Sequence, residues 1–109
     1  MTALEQYDAC IDQQRAGNML KAVEMLQKLT DDFPNFSLAY NALAAFYKKE
    51  NNLESAISYM EKYCALEPDD AFGFSVLSAY CIASGQRERA EESLAKANEL
   101  RFKAFSPNV

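Results

Sequence analysis

The sequence predicts an all-α protein made of three antiparallel helix pairs, and three observations predict it. The stretch "RAGNMLKAVEMLQKLTDDFPNF" at 15–36 is echoed by "KENNLESAISYMEKYCALEPDD" at 49–70, so that Asn51, Ala56 and Pro68 follow Gly17, Ala22 and Pro34 at a step of 34 residues. Gly85, Ala90 and Leu94 continue the same step from Asn51, Ala56 and Met60. Apolar residues return with a helical period inside each segment, and nothing alternates with period two over a useful length. The 109 residues read as one domain, 1–109, with repeats at about 3–36, 37–70 and 71–104 and a short tail at 105–109.

The first helix opens at Thr2, whose spacing to Glu5 allows a reciprocal capping box. Gly17 ends it, because glycine accepts left-handed backbone angles without steric cost. Asn18 is expected to cap a second helix whose apolar face is Leu20, Val23, Leu26 and Leu29 with Ala22 and Met25. Pro34 closes the first pair, since it lacks an amide donor and restricts Phe33 before it.

The second pair is expected at about Ser37–Lys49 and Leu53–Leu66. Leu38, Tyr40, Leu43, Ala44 and Tyr47 carry the period of its first helix. Asn51 is among the few non-glycine residues that tolerate the left-handed region, so it can stand in for Gly17. The third pair is expected at about Asp70–Ala83 and Arg87–Leu100, with Gly85 between them.

Composition narrows the function. Half the residues are hydrophobic and a quarter charged, as in globular chains. The net charge is −5 and basic residues cluster only at Lys48-Lys49, which argues against nucleic acid as a partner. Acids crowd the N-terminal "MTALEQYDACID", where a signal peptide needs a positive start and an apolar run. No stretch approaches the roughly 20 apolar residues of a membrane span. Cys10, Cys64 and Cys81 are odd in number and lack CxxC spacing, so they read as buried thiols in a reducing cytoplasm.

Enzyme readings fare badly. The chain has no histidine, the commonest general base and metal ligand. It has no phosphate-cradling glycine loop and no nucleophile in a recognisable setting. Asp31-Asp32 and Asp69-Asp70 are the acid–base or metal candidates, but each lies beside a proline that separates helices, where acids at a helix start cap free amides. The sequence implies no catalytic residue, no metal and no cofactor.

Helix pairs at this period, with a small residue where helices cross and a proline closing the unit, resemble tetratricopeptide repeats. The likeness covers roughly residues 3–104. It is fullest in the second repeat, at Tyr40, Leu43, Ala44, Tyr47, Asn51, Ala56, Met60 and Pro68. The third repeat matches at Phe74, Leu77, Ser78, Gly85, Ala90, Leu94 and Ala97. The first matches at Gly17, Ala22, Leu26 and Pro34, while Gln6 and Gln13 stand where large apolar residues are usual. A first helix has no preceding neighbour, so its outer face can be polar. Glu91, Ser93 and Asn98 replace the apolar residues seen in the earlier repeats, and the array is therefore expected to end after the third.

The resemblance implies a right-handed superhelical α-solenoid whose first helices of each pair line a concave face. Repeat one would contribute Leu4, Tyr7, Asp8, Ile11, Gln14 and Arg15. The better-matched repeats give the candidate groove: Asn41, Ala45, Lys48 and Lys49, then Phe72, Ser75, Val76, Ala79 and Ile82. Some family members hold the C-terminal carboxylate of chaperones in a basic and asparagine clamp. The matching positions here are Tyr7, Ile11, Ala42, Phe72 and Val76, and none can do this.

The expectation is a cytoplasmic, non-catalytic adaptor that takes a peptide or amphipathic helix of another protein, itself a monomer or weak homo-oligomer. Phe72 and Val76 would be the apolar anchors, Ile82 the deeper wall, Asn41 a donor to peptide backbone, and the lysines a rim for acids. The competing reading is a self-associating module using the apolar end of the groove or the Phe102/Phe105 tail. A third possibility is that the tail, "RFKAFSPNV", covers Phe72, Val76 and Ile82.

Overall fold

Two kinds of turn fix the architecture, and both recur at the repeat step. The structure is a computed structural model that describes residues 1–105. It contains helices α1 (Ala3–Arg15), α2 (Met19–Asp32), α3 (Ser37–Lys49), α4 (Leu53–Leu66), α5 (Ala71–Ala83) and α6 (Arg87–Phe105). No strand occurs among the described residues.

Inside each pair the chain reverses through one left-handed residue: Gly17 at φ 85°, Asn51 at 59° and Gly85 at 78°. The amide that follows reaches back to a carbonyl in the helix just ended. Asn18 binds Gln13 at 2.9 Å, Asn52 binds Tyr47 at 2.9 Å and Gln86 binds Cys81 at 2.8 Å. Together with the bonds from Gly17, Asn51 and Gly85 to Gln14, Lys48 and Ile82, this is a Schellman cap repeated three times. Between pairs, Phe33–Phe36 and Glu67–Asp70 close β-turns around Pro34 and Pro68, with N–H···O distances of 3.1 Å each. The proline presets the first central residue of the turn.

The caps differ in detail from expectation. Thr2 and Glu5 form the reciprocal capping box, at 3.0 and 3.1 Å. Asn18 occupies the cap position of α2 but its side chain accepts nothing there. Its amide instead donates to Gln13 across the turn at 2.9 Å. Asn52 does cap α4, accepting from Ser55 at 3.2 Å, and Asp70 caps α5, accepting from Phe72 at 3.0 Å. Asp31 and Asp32 lie in the last turn of α2, not at a helix start, and Asp32 pairs with Lys28 at 3.4 Å.

Small residues sit where the helices of a pair meet. Ala22, Ala44, Ala56 and Ala90 are all buried, as is Ser78, whose hydroxyl donates to the Ala90 carbonyl at 2.8 Å. Two cores join the pairs. Cys10, Val23, Leu26, Leu29, Ala39 and Leu43 form the first joint. Ala44, Ile57, Met60, Cys64, Leu77, Cys81 and Ala90 form the second. Leu20, expected on the apolar face of α2, is exposed: its position on the helix points it away from the joint. The solenoid is elongated, 44 × 33 × 22 Å.

The array's last helix departs most. No glycine or proline occurs between Arg87 and Phe105, and α6 continues past Leu100 through Phe105. Phe102 and Phe105 therefore stand exposed on a helix rather than in an irregular tail. Residues 106–109 of the expected tail lie outside the described residues. Glu91 and Asn98 face solvent, but Ser93 is buried. It lines a polar cavity with Glu61, Phe74, Leu77, Cys81, Arg89, Glu92 and Lys96.

Candidate partner-binding site

Helical spacing sorts the candidate residues into stripes. On α3, Asn41, Ala45, Lys48 and Lys49 follow at i, i+4, i+7 and i+8, one side of a helix. Asn41 is half-buried, and Ala45 and both lysines are exposed. The lysines occupy the last turn, where cations also complement the helix dipole.

On α5 the candidates divide. Phe72 is 67% exposed, Ala79 is exposed, and Val76 is half-buried against the second joint. These three share a stripe at i, i+4 and i+7. Ser75 and Ile82 turn toward α6 instead. Arg101 of α6 donates to the Ser75 hydroxyl at 2.6 Å. Ile82 is 65% exposed and lines an apolar cavity of about 380 Å³ with Ser78, Gly85, Arg87, Ala90, Glu91 and Leu94. That cavity opens on the α5–α6 end of the array, so Ile82 is not a wall of the surface between the second and third pairs. In the first pair, Leu4 is exposed and Tyr7 packs on Phe36, ring centres 5.6 Å apart.

Gly73 explains why Phe72 stands out. A Cβ on Gly73 would come within 2.7 Å of the Tyr63 ring and 3.4 Å of Cys64 Sγ, so α5 approaches α4 too closely for any side chain there. The neighbouring Phe72 is left on the outer edge. Tyr63 is itself held by a short hydrogen bond from its hydroxyl to the Asp70 carboxylate. That bond, then burial, pushes the Tyr63 phenol up to about 12.

The chemistry of these groups is structural. Asp70 is occupied by an amide and a phenol. The Cys64 thiol is pushed up to about 11, first by burial and then by the Asp70 and Glu61 charges. Burial also raises Cys10 and Cys81. All three are free thiols and stay protonated, hence poor nucleophiles, near neutral pH. Among the described residues no group of three or more Cys, Asp and Glu is arranged to hold a metal ion. No described helix is long and apolar enough to cross a membrane.

Two side-chain clusters were not anticipated from sequence. Tyr47 stacks on Tyr59 at 5.6 Å and 11°, Tyr59 faces Tyr40 at 6.4 Å, and the Lys62 ammonium sits 5.6–5.7 Å over the latter two rings. This ties α3 to α4 by aromatic and cation–π contact. Arg89 of α6 reaches back to Glu61 of α4, and that hydrogen bond keeps its guanidinium firmly charged. The i, i+7 spacing of Tyr40 and Tyr47 on α3 was the available signal. Nothing local pairs Arg89 with a residue 28 positions earlier.

Stacked helix pairs with partly apolar exposed faces define a helical-repeat solenoid. Residues 38–70, which span all but the first residue of α3 through the turn after α4, match the family model described as Tetratricopeptide repeat. No curated protein matches the sequence. Among solved structures, MamA aligns with a TM-score of 0.86 at 20% identity, covering 96% of this chain and 61% of its own. The translocator chaperone SycD of the Yersinia enterocolitica type III secretion system aligns at 0.77 and 21%, covering 97% and 84%. An O-GlcNAc transferase from Thermobaculum terrenum aligns at 0.73 and 28%, covering 93% of this chain but 21% of the enzyme. The chain thus spans about three fifths of MamA, and the likenesses to MamA and SycD concern the fold.

Proposed function

We propose that this protein is a non-catalytic adaptor that binds a peptide or amphipathic helix of another protein along the exposed faces of α3 and α5. The observation that carries the reading is Phe72: a large aromatic side chain, 67% exposed, in line with Val76 and beside the small Ala79. Such an anchor with an aliphatic neighbour and small flanking residues suits an apolar ridge spaced i, i+3, i+4 and i+7. Lys48 and Lys49 would meet acids at the rim, and Asn41 would donate to backbone. Ser75 and Ile82, which face α6, play no part in this surface. SycD is by description a chaperone, a protein whose partners are proteins, which supports the same class of ligand here. A cytoplasmic location is part of the proposal, supported by three buried thiols with no disulfide.

The test begins with a photo-crosslinker at Ala79, which identifies what lies on the surface, and continues with titration of that partner. Phe72→Ala should weaken binding roughly 30-fold or more, as truncation of a central anchor does. Lys48→Ala should act chiefly on the association rate and its salt dependence. Unchanged affinity in folded Phe72→Ala and Val76→Ala variants would remove the site from α3 and α5.

A further inference from the structure

Every cation of α6 but one is met by a carboxylate. Arg87 pairs with Glu91 at 3.4 Å, Arg89 reaches Glu61, and Lys96 and Lys103 share Glu99 at 3.9 and 3.1 Å. Among the described residues Arg101 donates only to neutral oxygens: the Ser75 hydroxyl at 2.6 Å and the Asn98 side-chain carbonyl at 3.4 Å. These bonds use two of the five guanidinium donors and hold the fork between α5 and α6. The charge is left uncompensated, with donors remaining for an acceptor from outside. Acids around the start of α5 are engaged elsewhere. Asp70 accepts from the Phe72 amide and the Tyr63 phenol, and Glu67 accepts from the Ser37 hydroxyl at 3.0 Å.

What the fork borders is apolar. Leu4, Leu38 and Phe72 occupy one position of the repeat, at the step of 34 residues, and are 56%, 41% and 67% exposed. One such side chain per pair makes a row that crosses α1, α3 and α5 near their starts. Ser75 lies three residues after Phe72 and about 60° around the helix toward α6. The head of Arg101, bound to Ser75, therefore closes the row on its α6 side. From the first pair outward, a ligand meets three apolar side chains and then a cation. Apolar contact alone fixes register weakly, whereas a charge at one end of the row selects which ligand residue covers Phe72.

We propose that Arg101 forms a carboxylate-binding subsite at the edge of the α3–α5 surface, and that the partner carries Asp or Glu at one fixed offset from the apolar residue covering Phe72. The inference rests on the adaptor reading of that surface. Ser75 touches no ligand and acts as a positioning residue for the guanidinium. Because α6 continues past Arg101 to Phe105, a bound segment has surface beyond this point, and the acid is a side chain rather than a chain terminus. Arg101 is exposed, so the ion pair adds selectivity and association rate more than affinity.

Selection from a library of short random peptides tests it, with the peptides anchored through their C-termini so that only side chains offer carboxylates. The wild type should enrich apolar residues together with Asp or Glu at one offset. Arg101→Glu should enrich Lys or Arg at that same offset while keeping the apolar preference, with circular dichroism confirming the fold. In titrations of a selected peptide, exchanging its acid for the amide should weaken binding to the wild type about 3- to 5-fold, less at high salt. The same exchange should not matter to Arg101→Gln, and should matter less to Ser75→Ala. Apolar enrichment with no acid at a fixed offset overturns the subsite and leaves the adaptor reading standing. An acid preference that survives Arg101→Glu overturns it as well and moves the acid to Lys48 or Lys49. If no apolar residue is enriched, or Phe72→Ala leaves the apolar preference intact, the α3–α5 reading fails and the subsite with it.

Discussion

The two joints of the solenoid solve one packing problem with different materials. Between the first and second pairs, α2 gives Leu29 and α3 gives Ala39 and Leu43, all fully buried. Between the second and third pairs, the positions of Leu29 and Ala39 are taken by Tyr63 and Gly73. The ring needs more room than a leucine, and the backbone of α5 moves against it only because Gly73 has no Cβ. The first joint is aliphatic and depends on volume. The second adds a polar element, because the phenol that replaces the leucine must hydrogen-bond and does so to the cap of the next helix. A substitution of one residue for another at a repeat position therefore draws in two more.

The sharpest way to break this contrast is Leu29→Ala. It should destabilise by about 2–5 kcal/mol, the range for a fully buried leucine, read from chemical denaturation midpoints. Truncating Tyr63, which is half-buried, should cost less; an equal loss would mean that the joints are energetically alike. Next in size is Gly73→Ala, expected to cost about 1–3 kcal/mol through overpacking against Tyr63, despite the better helix propensity of alanine. If Gly73→Ala raises the midpoint, the close approach of α4 and α5 is not what fixes glycine there.

The smallest effect sharpens the comparison through pH. The fold favours the protonated forms of Tyr63 and Cys64, so the unfolded chain loses those protons first as pH rises. Stability is complete below the ordinary values of 9.0 for Cys64 and 10.0 for Tyr63. It is lost as pH climbs toward about 11 and about 12. Alkaline loosening should therefore start at the second joint, and Tyr63→Phe should remove part of it. Hydrogen exchange above pH 9 that opens the first joint earlier would contradict this order.

Much of the fold was legible because its punctuation is local. The bounds of α3 and α4 follow from Pro34, Asn51 and Pro68, whose backbone preferences act within a residue or two. The end of α6 was misread because no such residue marks Leu100, and helical propensity alone gave no reason to stop. The candidate surface was legible as stripes, and Phe72, Val76 and Ala79 do share one. Ile82 lies off it because 3.6 residues per turn carries a position ten residues on about 80° around the helix, and Ser75, three residues on, lies about 60° to the same side. Where that rotation led, toward Arg101 and the cavity of the last repeat, depends on a partner helix that spacing within α5 does not reveal.

Each helix packs chiefly on the one before it and the one after it. The chain can therefore fold without closing any long loop. Helical arrays of such low contact order fold in about microseconds to milliseconds, and order spreads from whichever pair forms first. A growing chain could settle its first two pairs before the third has been made. What those pairs would still lack is the weight of α5 on Tyr63 and Cys64.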